Sequence, residues 1–484
     1  MERSVKIAIA LAMMAAVLLP GCGWVTDILD EDDEDEEEAE PYRFLTVMEA
    51  GASAAIVDPY DGSLDLLDPI NEERASVATS KHVFNEAVLA DGQTVAVLDD
   101  VLDEVRIVDV ASAEVKHVIS VGSAVSSLIP SPYGSQVLAI YDPSEGETDF
   151  GEGGVINYFE LNILDAEEGT NLPVSIDFTP ENIAFSPDGH TCLLGRDYRL
   201  IHLDMDTVET VTFPLSLGPN DPREPRHIEI SPDGEFAMIL VDRFTDVYVL
   251  NLVDHTINIL DLAGSAGDIV FIPETRIALL PVPELWVAAV VDLDSAIPEE
   301  IALDFPATDV RISPDGTMVL FYADRGNDVA IMDLADWKTE LYPLTVSINR
   351  TIDEPVCFDP DSLMILAVGQ TGAGDYGIHD INLIDLDSRV VVPIGLEGTI
   401  YDYAFSPNQQ TLGFVLPEQE KFVRLDLLNF QGQSWDLGRK VHLLHYLPTA
   451  EVYMVDYHDT RGKLTFIGDR GSDLFWCAKA IFDY

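Results

Sequence analysis

The chain has 484 residues, of which 87 are Asp or Glu and 26 are Lys or Arg, giving a formal net charge of −61. A charge of that sign excludes nucleic acid as a partner, which demands Lys/Arg patches, and favours cations and basic proteins as ligands. Four cysteines (Cys22, Cys192, Cys357 and Cys477) show no metal-like spacing, and Cys192, Cys357 and Cys477 allow one disulfide in an export compartment without the sequence choosing the pair.

The first element is a processing signal. Arg3 and Lys6 precede the apolar stretch Ile7–Leu19, which is too short to span a bilayer as a stable helix. Leu19-Pro20-Gly21-Cys22 then resembles the bacterial lipoprotein box, although Pro20 is an unusual occupant. The resemblance implies cleavage after residue 21, lipidation of Cys22 and an extracytoplasmic, membrane-anchored protein. Ordinary secretion or an uncleaved anchor are the alternatives. Gly23 after the cysteine implies the outer membrane by the enterobacterial sorting rule.

Residues 22–41 form an acidic tether, with eleven carboxylates between Asp27 and Glu40. Such a run repels itself and stays extended. It reads as a solvated spacer, or as a signal for surface export, which acidic stretches after a lipidated cysteine resemble.

From residue 42 to 484 one pattern recurs. Ser186-Pro187-Asp188-Gly189, Ser231-Pro232-Asp233-Gly234 and Ser313-Pro314-Asp315-Gly316 each separate two apolar runs. Aligned on the Ser, repeats begin at Met48, Leu89, Ser131, Ser186, Ser231, Ile272, Ser313, Asp359, Ser406 and Leu447, a step of about 42 residues. Asp68, Asp109, Asn251, Asp292, Asp333 and Asp426 fall 20 residues after their starts. Asp204 falls at 18, while Asp165 and Asp385 come late because loops are inserted before them. Alternating apolar residues before the turn and three further short runs after it predict four antiparallel strands per repeat, one blade of an all-β propeller. Ten repeats leave open one large ring, two smaller rings, or seven or eight blades with irregular flanking units. No strand exchange to close a ring is apparent.

Ile312-Ser313-Pro314-Asp315-Gly316-Thr317-Met318, followed by Asp324-Arg325 and Ile331-Met332-Asp333, resembles the repeat of TolB-type propellers and is similar to the YVTN and Trp-Asp repeats. The resemblance implies a fold and leaves function open, since such families include scaffolds, binders and enzymes.

No nucleophile elbow, zinc-helix motif, phosphate loop or Cys-x-x-Cys is present. Gly369–Gly374 reads as a lengthened strand connection. His442 and His445 are expected on opposite faces of a strand, which separates them as metal ligands. The acidic loop with Asp142, Glu145, Glu147, Asp149 and Glu152 offers oxygen ligands for Ca²⁺ without matching a calcium-loop spacing. Cys192 and Cys357 are expected to be buried apolar residues.

Four residues before each repeat start stand Asn85, Ser127, Asn182, His227, Asp268, Asp309 and Asp402, with Phe44, Pro355 and Leu443 breaking the series. Equivalent propeller positions converge on one mouth of the central channel. Asn182, His227, Asp268, Asp309 and Asp402 are therefore candidates to bind Ca²⁺ or another divalent cation, or a cationic ligand. Alternatively they bond to loop backbone. The leading functional expectation is a lipid-anchored binding or scaffold module of the bacterial envelope with a protein partner and no cofactor. The alternatives are an enzyme resembling lactonases or quinoproteins, with a metal or cofactor at the channel mouth, and a surface adhesin.

Overall fold

The computed structural model describes residues 43–46, 54–58, 62–143, 157–216, 223–241, 244–295, 297–348, 355–361, 363–371, 378–396, 398–406, 411–448, 450–457, 463–468 and 475–479. The signal and tether, with Cys22, lie outside these residues.

The described residues form ten antiparallel sheets, each built from strands consecutive in the chain. Blades 1 to 10 span 43–78, 83–120, 127–175, 182–214, 225–261, 270–302, 309–343, 347–395, 402–436 and 441–479. Blade 8 has five strands because Ser347–Ile348 and Val356–Phe358 both pair with Met364–Thr371; the others have four.

Position in the blade explains strand composition. Second and third strands are covered on both faces and read as continuous apolar runs: in blade 5, Ala237 to Val241 and Val247 to Leu250 are all buried. The fourth strand is an edge. Thr256–Asp261 buries only Leu260, and the remaining positions are polar or half-exposed, which suits an unpaired edge. First strands of consecutive blades lie beside one another around the axis.

Neighbouring blades are joined by side-chain packing. Ten apolar cores each straddle two adjacent blades, from 1–2 through 9–10. The tenth core sets Leu447, Met454, Leu464 and Phe466 of blade 10 against Ala54, Ile56 and Leu67 of blade 1. The molecule is therefore one closed ring of ten blades, a ten-bladed β-propeller. Closure uses packing and no exchanged strand. Each fully buried Val, Leu, Ile or Phe adds about 1.5–3 kcal/mol, so these cores hold the ring.

The recurring turn has a defined mechanism. In blade 4, Gly189 N–H donates to Ser186 O at 2.9 Å, with Gly189 at φ 74°, which a side chain would strain. Ser186 Oγ donates to Asp188 Oδ1 at 2.6 Å and accepts from Thr191 N–H at 2.9 Å. Ser231 and Ser313 repeat these bonds. The Asp marker works in the other hairpin, between third and fourth strands. Its carboxylate accepts the N–H groups two or three residues on: Ile70 and Asn71 at Asp68, Asp206 and Thr207 at Asp204, Leu428 and Asn429 at Asp426.

Asp359 occupies the Ser position of blade 8. Its Oδ1 replaces the hydroxyl, accepting Leu363 N–H at 2.7 Å and Met364 N–H at 2.8 Å. The residue is fully buried, and Oδ2 has no hydrogen-bond partner. Burial, and then the nearby Asp361 charge, raise its pKa against the opposing backbone bonds. The stability of the protonated form is thus present below the ordinary aspartate value and lost as pH rises through the folded value. Asp359→Ser restores the neutral acceptor. It is expected to stabilise the fold at pH 7 by about 1 kcal/mol, the scale of removing one unsatisfied buried acceptor. In thermal melts, the gain should shrink as pH falls toward 4; a variant less stable at pH 7 contradicts this.

Candidate channel-mouth site

The starts of the first strands define one end of the ring, opposite the Ser-Pro-Asp-Gly turns. The connections leaving residues 136–140 of blade 3 and 364–371 of blade 8 depart at this same end. Glu145, Glu147, Asp149 and Glu152 of the acidic loop lie outside the described residues, as do residues 372–374 of the Gly-rich connection. Asp142 is held through its backbone, its N–H donating to Ser126 Oγ at 2.8 Å.

The rim residues reach toward the following blade. Asn85 Oδ1 accepts Leu128 N–H at 2.9 Å, and Asp402 Oδ2 accepts Leu444 N–H at 2.8 Å. Asn182 Nδ2 donates to Pro225 O at 3.0 Å. These three clip the first strand of one blade to the next. Asp402 Oδ1 also accepts Tyr403 N–H at 2.8 Å, and Asp309 accepts the hydroxyl of Thr308. Ser127 is buried.

Blades 5, 6 and 7 differ. His227 Nε2 sits 3.6 Å from Glu229 Oε2 and 3.8 Å from Asp268 Oδ1, and makes no hydrogen bond. Asp268 Oδ1 accepts Ile269 N–H at 2.9 Å, while its Oδ2 meets Arg311 Nη1 at 3.1 Å. A line of ionisable side chains, Glu229–His227–Asp268–Arg311, thus crosses three blades. Asp268 is mostly buried and already compensated by Arg311; the imidazole lies a third exposed between two carboxylates. This arrangement can take a hydrogen-bonding ligand at His227. The structure brings His227 to Asp268 and leaves Asn182 and Asp402 in separate backbone clips. Among the described residues, no three His, Cys, Asp or Glu side chains gather as a metal-holding group.

Glu229 and Arg311 were missed from sequence. Both lie two residues beyond the rim position, on the same strand face, so alternation alone would have found them. On the same wall, Cys357 Sγ lies 3.1 Å from the Tyr403 hydroxyl, with Cys357 half-buried. Cys192 is fully buried, and burial raises its thiol pKa far above the ordinary range. The His442 side chain lies outside the described residues. His445 Nε2 has no hydrogen-bond partner, and burial lowers its pKa.

No family model matches the chain, and no curated protein matches it. Solved structures do. One described as the crystal structure of the eukaryotic initiation factor is 13% identical, with 82% of this chain and 96% of that chain covered, at a TM-score of 0.53. A dihydro-heme d1 dehydrogenase in complex with DHE is 15% identical, with 72% and 75% covered, at a TM-score of 0.45. Likeness at such identity concerns fold alone. The class is that of a ten-bladed β-propeller, a fold that serves in general as a binding, scaffold or enzyme-like module.

Proposed function

We propose that this protein is a lipid-anchored β-propeller of the bacterial cell envelope that acts as a binding and assembly module. Its repeats are of the TolB-type, YVTN-like kind. Cys22 carries the lipid, and the acidic run between Asp27 and Glu40 holds the ring off an anionic membrane. The observation that carries the binding reading is the rim. Asn85, Asn182 and Asp402 spend their polar groups on the backbone of the next blade and join the blades, while His227, between Glu229 and Asp268, offers a ring nitrogen at the mouth to a hydrogen-bonding ligand.

Cell fractionation tests the anchor. The wild-type chain is expected with the membranes and released by detergent, and Cys22→Ser is expected in the soluble fraction. Equal distribution of the two forms would overturn the reading.

A further inference from the structure

The crevices between the outer strands of adjacent blades are not all filled alike. The hairpin between third and fourth strands presents a residue with positive φ four positions after its Asp marker. In blade 5 that residue is His255, and across the crevice the third strand of blade 4 offers His202. Their rings lie 5.6 Å apart, with Phe213 6.1 Å from His255. Between blades 2 and 3 the hairpin residue is Gly169, and the His117 ring fills the space a side chain would take there. Between blades 6 and 7 the same two register positions are Val290 and Trp337. A groove of about 670 Å³ lies there.

The groove has a regular lining. Ile277, Asp292 and Ile297 form one cross-strand row, and Val290 and Glu299 the next, followed by Ile301. Trp337 makes the opposite wall. Ile277, Val290, Ile301 and Trp337 are the half-exposed fringe of the core between these blades. Ile297 is 67% exposed. Along the edge strand Ile297–Ala302 the groove face therefore alternates aliphatic, acidic, aliphatic: Ile297, Glu299, Ile301. Asp292, Glu299 and Glu300 have no ion-pair partner among the described residues. Most of the scarce bases are engaged elsewhere, as Arg276 is with Asp233 and Asp294.

We propose that this groove docks an extended segment of a partner protein in which aliphatic side chains alternate with Lys or Arg. Apolar side chains enter beside Ile277, Val290 and Ile301, and the cations meet Glu299 and Asp292 and the Trp337 ring. The three carboxylates repel an anionic lipid surface or a nucleic acid, which leaves a basic protein segment as the complementary occupant. The assignment deepens the binding-module reading and rests on it.

The test uses the detergent-solubilised full chain and a capped peptide of alternating Lys and Leu carrying a diazirine, with a Glu-Leu peptide as control, at about 0.15 M salt. The Lys-Leu peptide is expected to cross-link to residues 287–302 or to the 333–338 hairpin. Glu299→Lys is expected to weaken its binding about tenfold, as the loss of an opposed charge pair does. Trp337→Gly, which keeps the positive-φ hairpin, is expected to weaken it several-fold, and Glu114→Lys on the distant blade 2 to leave it unchanged. Thermal melts confirm that each variant folds. Cross-links scattered over the acidic surface, equal binding by all variants, or no binding would overturn the proposal. If Cys22→Ser still releases the chain from membranes, only the partner assignment falls.

Discussion

Phe466→Ala is expected to destabilise the protein by about 3–5 kcal/mol, the cost of emptying a well-packed core of an aromatic ring. Phe466 belongs to the last blade and is 2% exposed because blade 1 covers it with Ala54, Ile56 and Leu67. In an open arc of the same ten sheets, Phe466 would lie at a free end, and its truncation would cost little. The size of the effect therefore reports ring closure. Equilibrium denaturation of wild type and variant checks it, with Phe414→Ala between blades 8 and 9 as the reference for an internal seam. A loss below about 1 kcal/mol at Phe466 beside a large loss at Phe414 would mean that blades 1 and 10 do not hold each other.

The melting temperature is expected to rise by roughly 5–10 °C between about 0.05 and 2 M NaCl. Two electrostatic effects oppose one another. Added salt screens the ion pairs between blades, such as Arg276–Asp233 and Arg311–Asp268. It also screens the mutual repulsion of a chain carrying −61 net charges, only eleven of whose carboxylates belong to the tether. Partly exposed pairs contribute about 0.2–1 kcal/mol each, and many contribute nothing measurable. The repulsion acts over the whole surface, so its relief wins. Only 26 Lys and Arg stand against 87 Asp and Glu, so few of the carboxylates are offset. A flat or falling melting temperature in scanning calorimetry would show that the bridges dominate.

Local features of the fold were legible because they depend on residues a few positions apart. The Ser-Pro-Asp-Gly turn at residues 186, 231 and 313 announced a strand reversal, and the degenerate heads at Leu89, Ile272 and Leu447 stand at the same place, where the first strands of blades 2, 6 and 10 end. The Asp marker was legible as a position but not as a cause, since its bonds to hairpin N–H groups appear only in three dimensions. Blade number was illegible for a different reason. Whether ten sheets close into one ring depends on how each pair wedges together, and the deciding core gathers Ala54, Ile56 and Leu67 with Leu447, Met454 and Phe466, far apart in the chain. The rim shows the same limit. Polar residues at 85, 182 and 402 were visible, but their partners are backbone groups at 128, 225 and 444, which no side-chain pattern encodes. The groove is hidden further still, because its lining comes from three strands of blade 6 and a hairpin residue of blade 7.

In the proposed function a closed binding ring is held at a membrane through one modified residue, Cys22. The most direct test is the mass of the N-terminal fragment of the protein extracted from native membranes. The expected result is a chain that begins at Cys22 and carries thioether-linked diacylglycerol. A chain that begins at Met1, or one with an unmodified Cys22 thiol, would contradict it.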